Sequence, residues 1–202
     1  MAVAIILKTP EIIEKVSEQK VIYADAAYKF ADRLKDKTVL GVVGDFDSLG
    51  FEPQGEKIVR LEVEKNFTDG ERAVFYAKEC GEREIVLYGA NGGRLEHILG
   101  NNALLKIAQK IGLKAKLKTD GNFAELVGKG KRGLQAKKGG RVSFIPFGGE
   151  CSFVKSEGLY YPLDNLTLTP ADTRGISNVA VNGKISFEIS DGESVIIYEY
   201  EN

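Results

Sequence analysis

Hydrophobic positions in the first hundred or so residues fall into short β-rich runs at 2–7, 21–24, 39–43, 57–61 and 84–88, separated by amphipathic stretches such as 26–34. Alternation of this kind predicts a mostly parallel sheet flanked by helices. One helix announces itself by a capping box, Thr68-Asp69-Gly70-Glu71, with Ala73, Val74 and Ala77 as its apolar face and Gly81 as its stop. A second runs from about Arg94 through Ile98, Leu99, Leu104, Leu105 and Ile107 to near Ile111, closed by Gly112. Beyond about Asp120 helical periodicity vanishes. Residues 141–145, 151–154, 179–181, 184–189 and 194–200 read as strands, with Asn182-Gly183 and Asp191-Gly192 as hairpin turns. The expected architecture is an α/β domain with a mostly parallel sheet over 1–120, followed by an all-β, sandwich-like domain over 121–202.

Composition narrows the function. The 202 residues are 43% hydrophobic, enough for a core without staples, and 28 basic against 29 acidic residues leave a net charge of −1. That balance gives no global attraction to nucleic acid or to an anionic membrane. Cys80 and Cys151 match no metal spacing and read as free thiols of a reducing compartment, so a cytoplasmic location is expected. The opening apolar run is too short for a membrane span and reads as a first strand.

The chemistry concentrates in loops that follow strands. In Gly44-Asp45-Phe46-Asp47-Ser48 two carboxylates one residue apart leave a strand end, where open α/β sheets bind ligands. Residues i and i+2 of an extended segment face one side, so Asp45 and Asp47 can meet one hard cation while Phe46 turns inward. An ordinary turn also fits this pentapeptide. Asp69, at the first helical position, suits either the helix dipole or a metal. Gly92-Gly93-Arg94 can offer backbone amides and a guanidinium to phosphate. His97 is the only histidine, which excludes His-rich metal sites. The G-x-G-x-x-G match at 128–133 opens no convincing helix and is set aside. Residues 129–141 carry six basic and no acidic residues, but lack interleaved aromatics and read as a solvated hairpin.

Taken in order, these residues resemble the thiamine pyrophosphokinase family. The likeness rests on Ala24-Asp25, Gly44-Asp45-Phe46-Asp47-Ser48, Thr68-Asp69 followed by Arg72, Gly92-Gly93-Arg94 followed by Glu96 and His97, and Asn101. It continues through Gly158-Leu159, Tyr161-Pro162-Leu163 and Ser177-Asn178. The resemblance implies ATP-dependent transfer of a diphosphate to thiamine, with AMP released. It implies an α/β nucleotide-binding domain, then a β-sandwich for thiamine binding and dimerisation, in a homodimer with active sites between subunits. By the same likeness Asp45, Asp47 and Asp69 hold magnesium and Arg94 meets the phosphates. ATP is bound by Asp47, Ser48, Thr68, Arg72, Gly92, Gly93, Arg94 and His97, while Asp25, Glu96, Ser177 and Asn178 serve the acceptor. Glu96 stands where the family commonly has Asp, Arg72 where it has Lys, and Ala26-Ala27 where it has glycines. Two alternatives stay open: a pyrophosphokinase for another hydroxyalkyl heterocycle such as a pterin, and a non-catalytic nucleotide- or nucleic-acid-binding module.

Overall fold

A computed structural model describes residues 2–8, 10–47, 49–51, 53, 57–61 and 66–201, with the backbone alone for 10–12. Contacts divide the chain into two compact units, Met1–Asp120 and Gly121–Asn202.

In the first unit, strands β1 (Val3–Ile6), β2 (Lys20–Ala24), β3 (Thr38–Gly44), β4 (Ile58–Arg60), β5 (Glu84–Tyr88) and β6 (Lys114–Lys118) lie in the order β6-β5-β1-β2-β3-β4. Every one of these pairings is parallel. Parallel strands covered on both faces need continuous apolar runs, and all four residues of β1 are buried, as are the last four of β2. Helix α1 (Asp69–Glu79) begins at Thr68, whose hydroxyl accepts the Glu71 N–H at 3.1 Å, and buries Ala73, Val74 and Ala77. Helix α2 (Leu95–Lys110) begins at Arg94, and Gly112 follows it with φ of 76°. The stretch Asp25–Leu34 is a ten-residue 3₁₀ helix that buries only Ala27 and Leu34. Among the described residues no helix is long and apolar enough to cross a membrane.

The strand order fixes the site. β3, β2, β1 and β5 are successive neighbours, so the segments after them emerge side by side at the carboxyl edge of the sheet. Those segments begin at Asp45, Asp25, Leu7 and Gly89 respectively.

The second unit contains β7 (Asn122–Gln135), β8 (Arg141–Pro146), β9 (Cys151–Glu157), β10 (Leu166–Leu168), β11 (Asn178–Val179) and β12 (Lys184–Glu199), all paired antiparallel. β12 pairs with β7 along its whole length. Its first half also pairs with β9 and its second half with β8. Phe144, Phe153 and Phe187 meet edge to face at the centre of the core, with centroids 5.3–6.2 Å apart. Each such buried ring contributes on the order of 2–3 kcal/mol.

Neither the Asn-Gly nor the Asp-Gly signature forms the two-strand hairpin expected of it. Asp191-Gly192 joins no hairpin; it lies inside the continuous strand β12, where the register shifts between Ile189 and Glu193. Gly192 has φ of 79°, and a Cβ on it would lie 2.0 Å from the Glu150 carbonyl oxygen, so the glycine serves a bulge pressed against the backbone just before β9. Asn182-Gly183 turns the chain, but β11 before it pairs with β8 and not with β12. The G-x-G-x-x-G match and the basic residues Lys129, Lys131 and Arg132 lie within β7, which opens no helix.

Candidate active site

Asp45 and Asp47 follow β3 with Phe46 turned inward between them, but through a left-handed turn and not the extended backbone expected from their spacing. Phe46 between them has φ of 65°, is 7% exposed and belongs to the apolar core with Tyr23, Val42 and Tyr88. The Arg60 guanidinium lies 5.6 Å from its ring centroid. A left-handed backbone at a bulky residue costs on the order of 1 kcal/mol or more, and burial of the ring holds it there. The Asp47 N–H donates to Asp45 Oδ1 at 3.3 Å, which closes the turn.

Asp25 joins this pair. It begins the segment after β2 with φ of 42°, and the register Ala24↔Val43 brings it beside the end of β3. Gly44 permits the approach, since a Cβ there would stand 3.0 Å from both Cα and Cβ of Asp25. Carboxylate oxygens of Asp25, Asp45 and Asp47 lie within 4.8 Å of one another. Asp25 Oδ1 is buried and has no hydrogen-bond partner in the structure. Three clustered hard oxygen donors, one of them buried and unsatisfied, fit a magnesium ion that keeps several waters and accepts substrate phosphates.

These three carboxylates line a cleft of about 610 Å³. Thr68, Asp69 and Glu71 from the start of α1 form another part of its wall, and Gly92, Arg94, Glu96, His97 and Asn101 a further part. Arg94 is held from two sides: Nε lies 2.6 Å from Glu96 Oε1 and Nη2 2.6 Å from His97 Nε2. The loop before it is tied down by Asn101, whose Nδ2 donates to the Ala90 carbonyl at 2.9 Å. Glu96 and His97 thus orient a guanidinium beside a glycine loop and a helix N-terminus, an arrangement suited to phosphate.

Most residues expected at the site meet in this cleft, and several stand elsewhere. Asp69 lines the cleft, while the tight carboxylate group takes Asp25, read from sequence as an acceptor contact. Arg72 is not among the lining residues; Glu79, two turns along α1, holds its guanidinium at 2.9 and 3.0 Å. Gly93 faces Lys8. Ser48 lies outside the described residues. Ser177 and Asn178 belong to the second unit: Ser177 is exposed with φ of 61°, whereas Asn178 is buried. The Asn178 amide accepts from the Tyr161 and Val179 N–H groups and donates to the Tyr161 carbonyl, so it holds its loop in shape. Sequence reasoning passed over Lys8, a cleft residue whose sole signal is its position just after a central strand.

A family model described as the thiamin pyrophosphokinase catalytic domain matches residues 14–117, and one described as the thiamin pyrophosphokinase vitamin B1 binding domain matches 132–192. Thiamine pyrophosphokinase of Bacillus subtilis (strain 168) is 30% identical over 162 residues, covering 76% of this chain and 75% of that protein. The crystal structure of thiamine pyrophosphokinase from Bacillus subtilis aligns over 100% of both chains with a TM-score of 0.83 at 24% identity, a likeness of fold. That of thiamin pyrophosphokinase from Geobacillus thermodenitrificans gives 0.80 at 25% identity, over 100% of this chain and 99% of that one. With both domain models matched and that degree of identity to a curated relative, the chain belongs to the thiamin pyrophosphokinase family.

Proposed function

We propose that this protein is a thiamine pyrophosphokinase, converting thiamine and ATP into thiamine diphosphate and AMP. The observation that carries the reading is the convergence of Asp25, Asp45 and Asp47 within 4.8 Å, in one cleft with the braced Arg94 and its glycine loop. Carboxylates for a metal and a guanidinium for phosphate are the parts phosphoryl transfer needs, because that chemistry is chiefly positioning and charge neutralisation.

Asp25, Asp45 and Asp47, with Asp69 lining the same cleft, would hold magnesium. The ion, when bound, draws charge from the triphosphate oxygens and acts as a Lewis acid. The thiamine hydroxyl oxygen forms a bond to the β-phosphorus as the bond from that phosphorus to the α,β-bridging oxygen breaks, and AMP leaves with the bridging oxygen. The hydroxyl proton passes to a carboxylate of the cleft. Arg94, oriented by Glu96 and His97, stabilises charge on the transferring phosphates. Thr68, Gly92, Gly93 and the α2 N-terminus shape the phosphate path.

The same reading makes the first unit an α/β nucleotide-binding domain with a mostly parallel sheet. It makes the second a β-sandwich for thiamine binding and dimerisation. In the homodimer Ser177 and Asn178 of one copy serve the acceptor bound to the other, Asn178 by holding the loop. The protein works in the cytoplasm, consistent with its two free thiols.

Incubation with thiamine, ATP and magnesium, with both products identified by chromatography, tests the reading. Thiamine diphosphate with equimolar AMP is expected. Thiamine monophosphate with ADP, or no thiamine product from folded protein, would overturn it.

A further inference from the structure

β1 lies between β2 and β5, so the residues after it emerge between Asp25 and the glycine loop that precedes Arg94. The ladder continues one residue beyond the strand, the Leu7 N–H donating to the Tyr88 carbonyl at 2.9 Å, which anchors the backbone next to Lys8. Lys8 lines the cleft, and its stem crosses Gly93: a Cβ added to that glycine would lie 3.4 Å from Lys8 Cδ and 3.6 Å from Nζ. Gly93 also has φ of 93°, so glycine at this position serves both the turn and the passage of the lysine.

The charges of the cleft give Lys8 its role. Asp25, Asp45, Asp47, Asp69, Glu71 and Glu96 all line it, and a nucleoside triphosphate is itself a polyanion. Of the cations facing them, Arg94 is engaged by Glu96 and His97. Lys8 makes no ion pair or side-chain hydrogen bond among the described residues. A flexible ammonium beside a glycine loop suits phosphate oxygens as a point charge. Lys8 precedes residues 14–117, which match the catalytic-domain model.

We propose that Lys8 is a phosphate-binding residue for the ATP triphosphate, gripping it where it lies along Gly92-Gly93. The proposal rests on the reaction proposed above. Lys8→Met keeps the stem on Gly93 and removes the charge; Lys8→Arg keeps the charge. Calorimetric titration with inorganic tripolyphosphate in magnesium buffer, and separately with AMP, reads binding without turnover. Lys8→Met should bind tripolyphosphate roughly tenfold more weakly, the scale of one hydrogen bond to a charged group. AMP affinity should stay within about twofold, and Lys8→Arg should recover most of the loss. In turnover the KM for ATP should rise by a similar factor while the KM for thiamine holds. Equal tripolyphosphate binding by wild type and Lys8→Met, no tripolyphosphate binding by wild type, or a matching loss of AMP affinity would each overturn the proposal. Lysine-dependent binding by a protein that leaves thiamine unconverted would sink the reaction and spare Lys8. Normal conversion with lysine-independent binding would do the reverse.

Discussion

Gly44→Ala tests how the carboxylate group is assembled. The added methyl would stand 3.0 Å from Asp25 Cα and Cβ and 3.3 Å from its backbone nitrogen, whereas ordinary contact begins at 3.4 Å. Two of these atoms are backbone, so no side chain can swing aside. Either β3 or the Asp25 segment must retreat by about 0.4 Å or more, and the oxygens now within 4.8 Å spread apart. Overpacking of this kind costs about 1–3 kcal/mol, equivalent to a fall in Tm of roughly 3–10 °C for a unit of this size. Catalysis should suffer more than stability, because misplacement approaching 1 Å in a positioned site removes up to about a hundredfold in rate. The expected result is a folded protein with kcat/KM down roughly ten- to a hundredfold and a higher magnesium requirement, measured by AMP release against magnesium concentration. Wild-type activity with an unchanged magnesium curve would refute the claim that Gly44 sets the spacing of Asp25 from Asp45 and Asp47.

Asp45→Asn and Asp47→Asn should each abolish turnover while leaving circular dichroism and Tm unaltered within a few degrees; near-normal rates in both would remove the metal assignment. Asn178→Ala leaves the Tyr161 and Val179 amides and the Tyr161 carbonyl without their buried partner. It should cost about 2–4 kcal/mol in urea unfolding, and a loss below about 0.5 kcal/mol would mean that water substitutes freely. Cys80 is exposed and should react with a thiol reagent at pH 8 within minutes. Cys151 is buried, and burial, reinforced by Asp191 and Glu193, pushes its thiol up to about 11, so it should react only after denaturation. Two thiols titrating at once in native protein would contradict that burial.

What the sequence disclosed and what it withheld divide along the range of the interactions involved. β1, β2 and β5 were legible because strands covered on both faces must be apolar throughout. Helix α1 was legible because its cap is built from residues three apart. β7 was not read as a long strand, since Gly128, Gly130 and Gly133 and the lysines among them dilute the alternation, and pairing with β12 overrides propensity. Asp191-Gly192 carries a hairpin signature, yet contact with Glu150 makes it a bulge. At the site, Asp45 and Asp47 are local and were found together. Asp25 is twenty residues upstream of Asp45 and meets it only through the register of β2 on β3. Lys8 required the full strand order, which no local pattern encodes. The Thr68-Asp69 motif suggests phosphate for Arg72, whereas its partner in the structure is Glu79, seven residues on.

β12 also governs how the second unit comes into being. β7, β8 and β9 form no ladder with one another among the described residues; each is joined through β12. Until β12 docks, three strands carry open edges and the phenylalanine cluster lacks Phe187. Contacts between β12 and β7 close loops of roughly 50–75 residues, so the entropic cost precedes most of the stabilisation. Folding of this unit should therefore wait on the docking of β12. During synthesis the strands that β12 joins keep their open edges until β12 itself has cleared the ribosome, and misassembly in this unit is confined to that interval.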